Sequence, residues 1–298
     1  MERVIEILKV IGIFIVSNIL YIQWFMLYFM FAWLLLGGGL NSFIIVAIIY
    51  GSSVTIALSP IGEILLRLLE QCREPQTKRE REYLLPIFEE VYDSAKEVIP
   101  TINKGIKIYI MDAMHVNAFA IGRQTVAVTK GALETFTEDE LKGILAHELG
   151  HMHYGHTKAL LLSVIGNFFF SIIVWFFKLV LYVFQIISNI VAQFNVIGFG
   201  FVFFTFIMRL IVNISEFIFI HLSQVILALS SRKSELQADK YAYDIGYGTE
   251  LIFSMYLLQK ITMNAKMGLL DRAKSTHPHL AYRIQKLEEL ENEAIAEE

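Results

Sequence analysis

A chain of 298 residues has room for one or two domains, and 55% hydrophobic residues with a mean hydropathy of +0.54 exceed what a soluble domain of this size carries. The surplus belongs in lipid. A net charge of −4 leaves no basic surface for a nucleic acid, and the lone Cys72 excludes an internal disulfide and suits a reducing compartment.

From Val10 to Leu36 the chain is almost uncharged, and after Gly37-Gly38-Gly39 a second apolar run extends from about Asn41 to Ile61; each is long enough to span a bilayer as a helix. The pair predicts a transmembrane hairpin over 1–62. The first block is too long for a cleaved signal peptide and shows no small-residue cleavage pattern, so it is expected to be retained. Residues 63–158 form a polar portion. In it, Ile106 to Met111 and Thr125 to Thr129 are strand-like runs flanking Asn117-Ala118-Phe119-Ala120-Ile121-Gly122, which implies a small sheet.

Thr137-Glu138-Asp139-Glu140 reads as a capping box opening a helix, with Leu141, Ile144, Leu145, Leu149 and Met152 as its apolar stripe. That helix carries His147-Glu148-Leu149-Gly150-His151. Two imidazoles four residues apart share one helical face and can hold one zinc ion, while Glu148 can take a proton from a water that the metal has acidified. This is the chemistry of a metallopeptidase. His153 and His156 lack the spacing to join the same metal face and are expected to be polar surface residues.

Residues 159–229 predict a second transmembrane hairpin, and 230–298 a second polar portion. No Pro interrupts Glu138 to Ile187, so the zinc helix is expected to run straight into the third span, and the fourth span into Glu235. Lys178 and Arg209, each about 30 Å along a helix from the cytoplasmic boundary, suit snorkelling anchors, and Glu216 an interhelical pair within the bilayer. Between 179 and 208 the sequence leaves open an outer hairpin or helix extensions. Metal ligands must meet on one side of the membrane, and the two spans satisfy that if 230–298 supplies a ligand. Arg3, Lys9, Arg67, Arg73, Lys158, Arg232 and Lys233 flank the four helices on one side, whereas the turns near Gly38 and Asn189 lack Lys and Arg, so both polar portions are expected in the cytoplasm.

Glu235 and Asp239, four residues apart on one helical face, complete the set: Glu235 as third zinc ligand, Asp239 accepting an imidazole N–H. Three protein ligands leave one position for water. These residues resemble the membrane-bound zinc peptidases that include the bacterial HtpX quality-control proteases, the CaaX prenyl peptidases and the mitochondrial Oma-type proteases. The resemblance runs from about Arg79 to Leu287, and two apolar helices before the zinc helix with two after it look like the HtpX branch. Residues 117–122, the zinc helix, Glu235 with Asp239, and His277-Pro278 with Arg283 carry it. It implies that Ala118, Phe119 and Ala120 form a substrate-side edge strand, that the Asn117 amide and His277 imidazole donate hydrogen bonds to the oxyanion, and that Arg283 pairs with a carboxylate near the site.

The expectation is a mainly α membrane protein with four transmembrane helices and a cytoplasmic α+β zinc-peptidase domain containing a small sheet. It would hold one Zn²⁺ and cleave misfolded or membrane-associated polypeptides in a prokaryotic cell membrane, with no nucleic-acid partner; a homo-oligomer is compatible with the sequence. Two other readings are a scaffold that keeps zinc for structure and an intramembrane protease. The latter conflicts with Glu138, Asp139, Glu140 and Lys142 before the motif and His153, His156 and Lys158 after it, which make the site too polar for lipid.

Overall fold

The computed structural model describes residues 26, 29–30, 32–34, 36–99, 102, 104–164, 168–194, 196–262 and 279–297. Most of the first apolar block, His277 and Pro278, and the Glu216 side chain lie outside the described set. Among the described residues, Leu40–Leu58, Trp175–Ala192 and Ile197–Ile214 are helical, long and apolar enough to cross a membrane. Side chains such as Ile48, Trp175 and Phe203 point outward on them, as suits helices whose solvent is lipid.

Helix α1 (Leu40–Leu58) passes at Ser59 into a short α2 (Pro60–Leu69). A four-stranded mixed sheet then forms from β1 (Cys72–Arg73), β2 (Lys107–Met111), β3 (Ala118–Ile121) and β4 (Thr125–Thr129), in the order β1-β2-β4-β3. β2 and β4 run parallel and the outer pairs antiparallel, so β3 is an edge strand in register Phe119↔Ala127. Arg73 on β1 bridges Glu80 and Asp112, each at 2.8 Å, and its hydrogen bonds hold the Glu80 carboxyl down to about 2. A π-helical turn (Glu80–Leu84) leads into α3 (Leu85–Val98), where Pro86 has no N–H to continue an ordinary ladder.

After α4 (Lys130–Thr135), α5 (Glu138–His153) begins at the expected capping box: the Thr137 hydroxyl accepts the Glu140 N–H, and the Glu140 carboxylate accepts the Thr137 N–H at 2.8 Å. The middle of α5 is buried on every side, against α3, the sheet, α8 (Val196–Asp244) and α9 (Gly248–Thr262). Leu141, Leu145, Leu149 and Met152 fill the shared core with Tyr241, Leu251 and Met255. Gly150 permits the crossing with α8, since a Cβ there would lie 2.9 Å from Ala238 Cα. Glu235, three residues before Ala238, is thereby brought over the His147–His151 turn.

The helix that carries His147 and His151 does not run unbroken into the next candidate span. It ends at Tyr154–Gly155, where Gly155 takes φ +74°, and a separate α6 (His156–Val164) follows before α7 (Phe168–Ala192). A left-handed glycine ends a helix without any proline, which is why the proline count misled. In contrast, α8 is unbroken over 49 residues, about 70 Å at 1.5 Å per residue, and reaches from the candidate span Ile197–Ile214 through Glu235. Residues 179–192 and 196–208 are helical parts of α7 and α8, with a turn at 193–194, and the Thr205 hydroxyl bonds across to Gln185 Oε1 at 2.9 Å. The last helix, α10 (Leu280–Glu297), closes the domain by packing Ile284 and Leu287 into the core.

Candidate metal centre

One turn of α5 presents His147, Glu148 and His151 so that one ligand atom from each lies within 4.8 Å of the others. The two Nε2 atoms are 3.2 Å apart. From α8, the Glu235 carboxylate comes within 3.4 Å of His147 Nε2 through one oxygen and within 3.4 Å of His151 Nε2 through the other. A tetrahedral ion with bonds of about 2.0–2.1 Å separates its ligand atoms by about 3.3–3.4 Å, close to the separation of the two imidazoles and of each imidazole from its nearer Glu235 oxygen.

Charge makes the same demand. Glu148, Glu235 and Asp239 are all buried at this cluster, with the Arg283 guanidinium against Glu235 and Asp239, so three acids concentrate negative potential at the imidazoles. Burial disfavours a proton on His147, but its bonds to Asp239 and Glu235 prevail and raise its pKa to about 9. A cation between the imidazoles would satisfy that field in the proton's place.

Behind the cluster, Asp239 Oδ1 is 2.9 Å from His147 Nδ1, which fixes the tautomer that leaves Nε2 free to face the cluster. Arg283, 6% exposed, donates to both Asp239 oxygens at 2.6 and 2.8 Å and reaches Glu235 Oε2 at 2.7 Å. It ties α10 to the one face of α8 that carries both acids.

His156 departs from expectation: it is buried rather than a polar surface residue. The Gly155 turn folds it back so that its Nδ1 lies 3.0 Å from His151 Nδ1, and its Nε2 lies 3.2 Å from Gln237 Oε1. Burial and the neighbouring His151 push its pKa down to about 3, so it is neutral. One tautomer chain satisfies all three groups: His156 Nε2–H donates to Gln237, His156 Nδ1 accepts from His151 Nδ1–H, and His151 Nε2 keeps its lone pair. A five-residue separation is no helical spacing, and the only sequence signal for this contact was the glycine just before it.

Asn117 is exposed next to β3, and its backbone bonds go to Thr129, which donates its N–H to the Asn117 carbonyl at 3.0 Å. By the two-residue alternation of an antiparallel pair, Ala118 and Ala120 then turn their N–H and C=O groups to the free edge, while Phe119 faces β4. The side of β3 packs against α5.

The sequence pattern of peptidase family M48 matches residues 79–291. A Protease HtpX of Pseudomonas entomophila is 33% identical over 178 residues, 56% of this chain and 52% of that protein. Another Protease HtpX, of Pseudomonas fluorescens, is 30% identical over 241 residues, 72% and 73% of the two chains. The chain thus spans about half the length of the first relative and nearly three quarters of the second. The crystal structure of S. mikatae Ste24p matches with a TM-score of 0.46 and 19% identity, over 96% of this chain and 65% of that one. With that pattern covering most of its length, the chain belongs to the metallopeptidase family M48, and within that family it is similar to the HtpX proteases.

Proposed function

We propose that the chain is a zinc-dependent membrane endopeptidase that cleaves misfolded or membrane-associated polypeptides on the cytoplasmic side of a prokaryotic cell membrane. The convergence of His147 Nε2, His151 Nε2 and the Glu235 carboxylate, whose two oxygens each lie 3.4 Å from one imidazole, carries this reading. Bound by those three side chains, zinc would supply the Lewis acidity that acidifies a water and polarises the scissile carbonyl. Glu148 takes the proton from the water and returns it to the leaving amine. Asp239 and Arg283 hold His147 in its ligating tautomer. By family likeness, the Asn117 amide and His277 imidazole donate to the oxyanion. The outward N–H and C=O groups of Ala118 and Ala120 pair an extended substrate backbone, with Phe119 between them, so selection is mostly main-chain and tolerates many sequences.

The test is proteolysis of an added unfolded protein by the detergent-solubilised chain. Cleavage is expected to stop with a chelator and to return with Zn²⁺; a chain that holds zinc but never cleaves is a scaffold. On the same reading, His156→Ala is expected to weaken zinc binding by about 10–100-fold in a chelator competition, because His151 loses its orienting partner. Unchanged affinity would remove His156 from the site.

A further inference from the structure

Helix α2 wears its apolar side outward. Ile61, Ile64, Leu65, Leu68 and Leu69 fall at i, i+3, i+4, i+7 and i+8, one stripe of a helix, and all are exposed, Leu68 and Leu69 by 66% and 70%. The opposite face, with Gly62, Glu63 and Leu66, is the buried one. Leu66 packs on Ile121 of β3 and Leu161 of α6. Glu63 locks the contact: its carboxylate accepts the N–H groups of Arg123 and Gln124 at 2.9 and 3.1 Å and the Thr125 hydroxyl at 2.6 Å. Arg123 and Gln124 lie in the turn between β3 and β4 and Thr125 opens β4, and a Cβ on Gly122 in that turn would collide with the Glu63 carboxylate.

No linker separates this helix from the candidate span Leu40–Leu58. Ser59 ends the candidate span Leu40–Leu58 and also caps α2, accepting the Ile61 N–H at 3.2 Å, with Pro60 in the first turn. The free face of α2 therefore starts within a residue or two of a bilayer-crossing stretch, and a continuous stripe of this kind is rare on a surface that meets only water.

We propose that α2 is an interfacial anchor: its Ile61–Leu69 stripe enters the boundary between phospholipid headgroups and acyl chains by about 5–10 Å, and Glu63 passes that position to the β3–β4 turn. The edge strand β3 is thereby held at the membrane surface. That the strand there meets a substrate segment leaving the bilayer rests on the proposed peptidase function; the lipid contact does not.

The test uses the full chain in phosphatidylcholine vesicles, with Cys72→Ser and a single new cysteine at Leu68→Cys carrying an environment-sensitive fluorophore. A label at Glu89→Cys, on an exposed site of α3, serves as the aqueous reference. The Leu68 label is expected to lose most of its emission to lipids brominated high on the acyl chain and to resist aqueous iodide, with the Glu89 label behaving oppositely. Iodide quenching of both labels alike would overturn the anchor. Protection of the Leu68 label from both quenchers would overturn it too, since protein, another segment or a second copy, would then cover the stripe. For the lock, Glu63→Gln is expected to speed amide exchange at Arg123 and Gln124 while β2 stays protected; unchanged exchange would remove Glu63 from that role, and if the variant fails to fold, Thr125→Val provides the same readout. None of these measurements requires turnover, so they are independent of whether the chain cleaves peptides.

Discussion

Glu148→Gln is expected to keep its zinc and its fold while cleaving an unfolded substrate about 10²–10⁴-fold more slowly, the contribution of a positioned general base. The substitution preserves size in a site where Glu148 is buried beside both imidazoles, so no cavity opens. It removes one of three neighbouring buried carboxylates, which lessens the repulsion among them. The loss should therefore fall on kcat, with one zinc per chain retained by elemental analysis. Cleavage at the normal rate would show that another group moves the proton.

Arg283→Met is expected to be the most destabilising single change. Arg283 is buried and bonded to both oxygens of Asp239 and to Glu235, so the variant leaves two buried acids without their counter-charge, at a cost of about 3–5 kcal/mol. It also frees Asp239 from the geometry that orients His147. Added zinc should recover part of the loss, because a cation on Glu235 replaces some of the missing positive charge. Arg283→Lys should fall between, since one ammonium cannot bridge the two carboxylates as a guanidinium does. Thermal unfolding with and without zinc reads this, and an unaltered midpoint for Arg283→Met would mean that the buried network contributes little.

The helix that carries His147 and His151 was legible because its signals are local. Thr137 and Glu140 are three residues apart, and His147 and His151 four, so helical geometry alone predicts their meeting. Glu235 and Asp239 were reachable from α5 only by combining their own four-residue spacing with the need for an even number of spans. Two features escaped. The His151–His156 contact depends on Gly155 turning left-handed, a conformation the sequence permits but does not announce. The outward stripe of α2 was hidden because Ile61 reads as the end of the preceding apolar run, and only the Ser59-Pro60 break separates the candidate span from the short helix after it.

The most direct measurement is anomalous scattering at the zinc edge from crystals of the purified chain. One peak is expected per chain, equidistant within error from His147 Nε2, His151 Nε2 and a Glu235 carboxylate oxygen, and absent from crystals of Glu235→Ala. A peak elsewhere, or one at the imidazoles that persists with Glu235 removed, would contradict the assignment of α8 as the source of the third ligand.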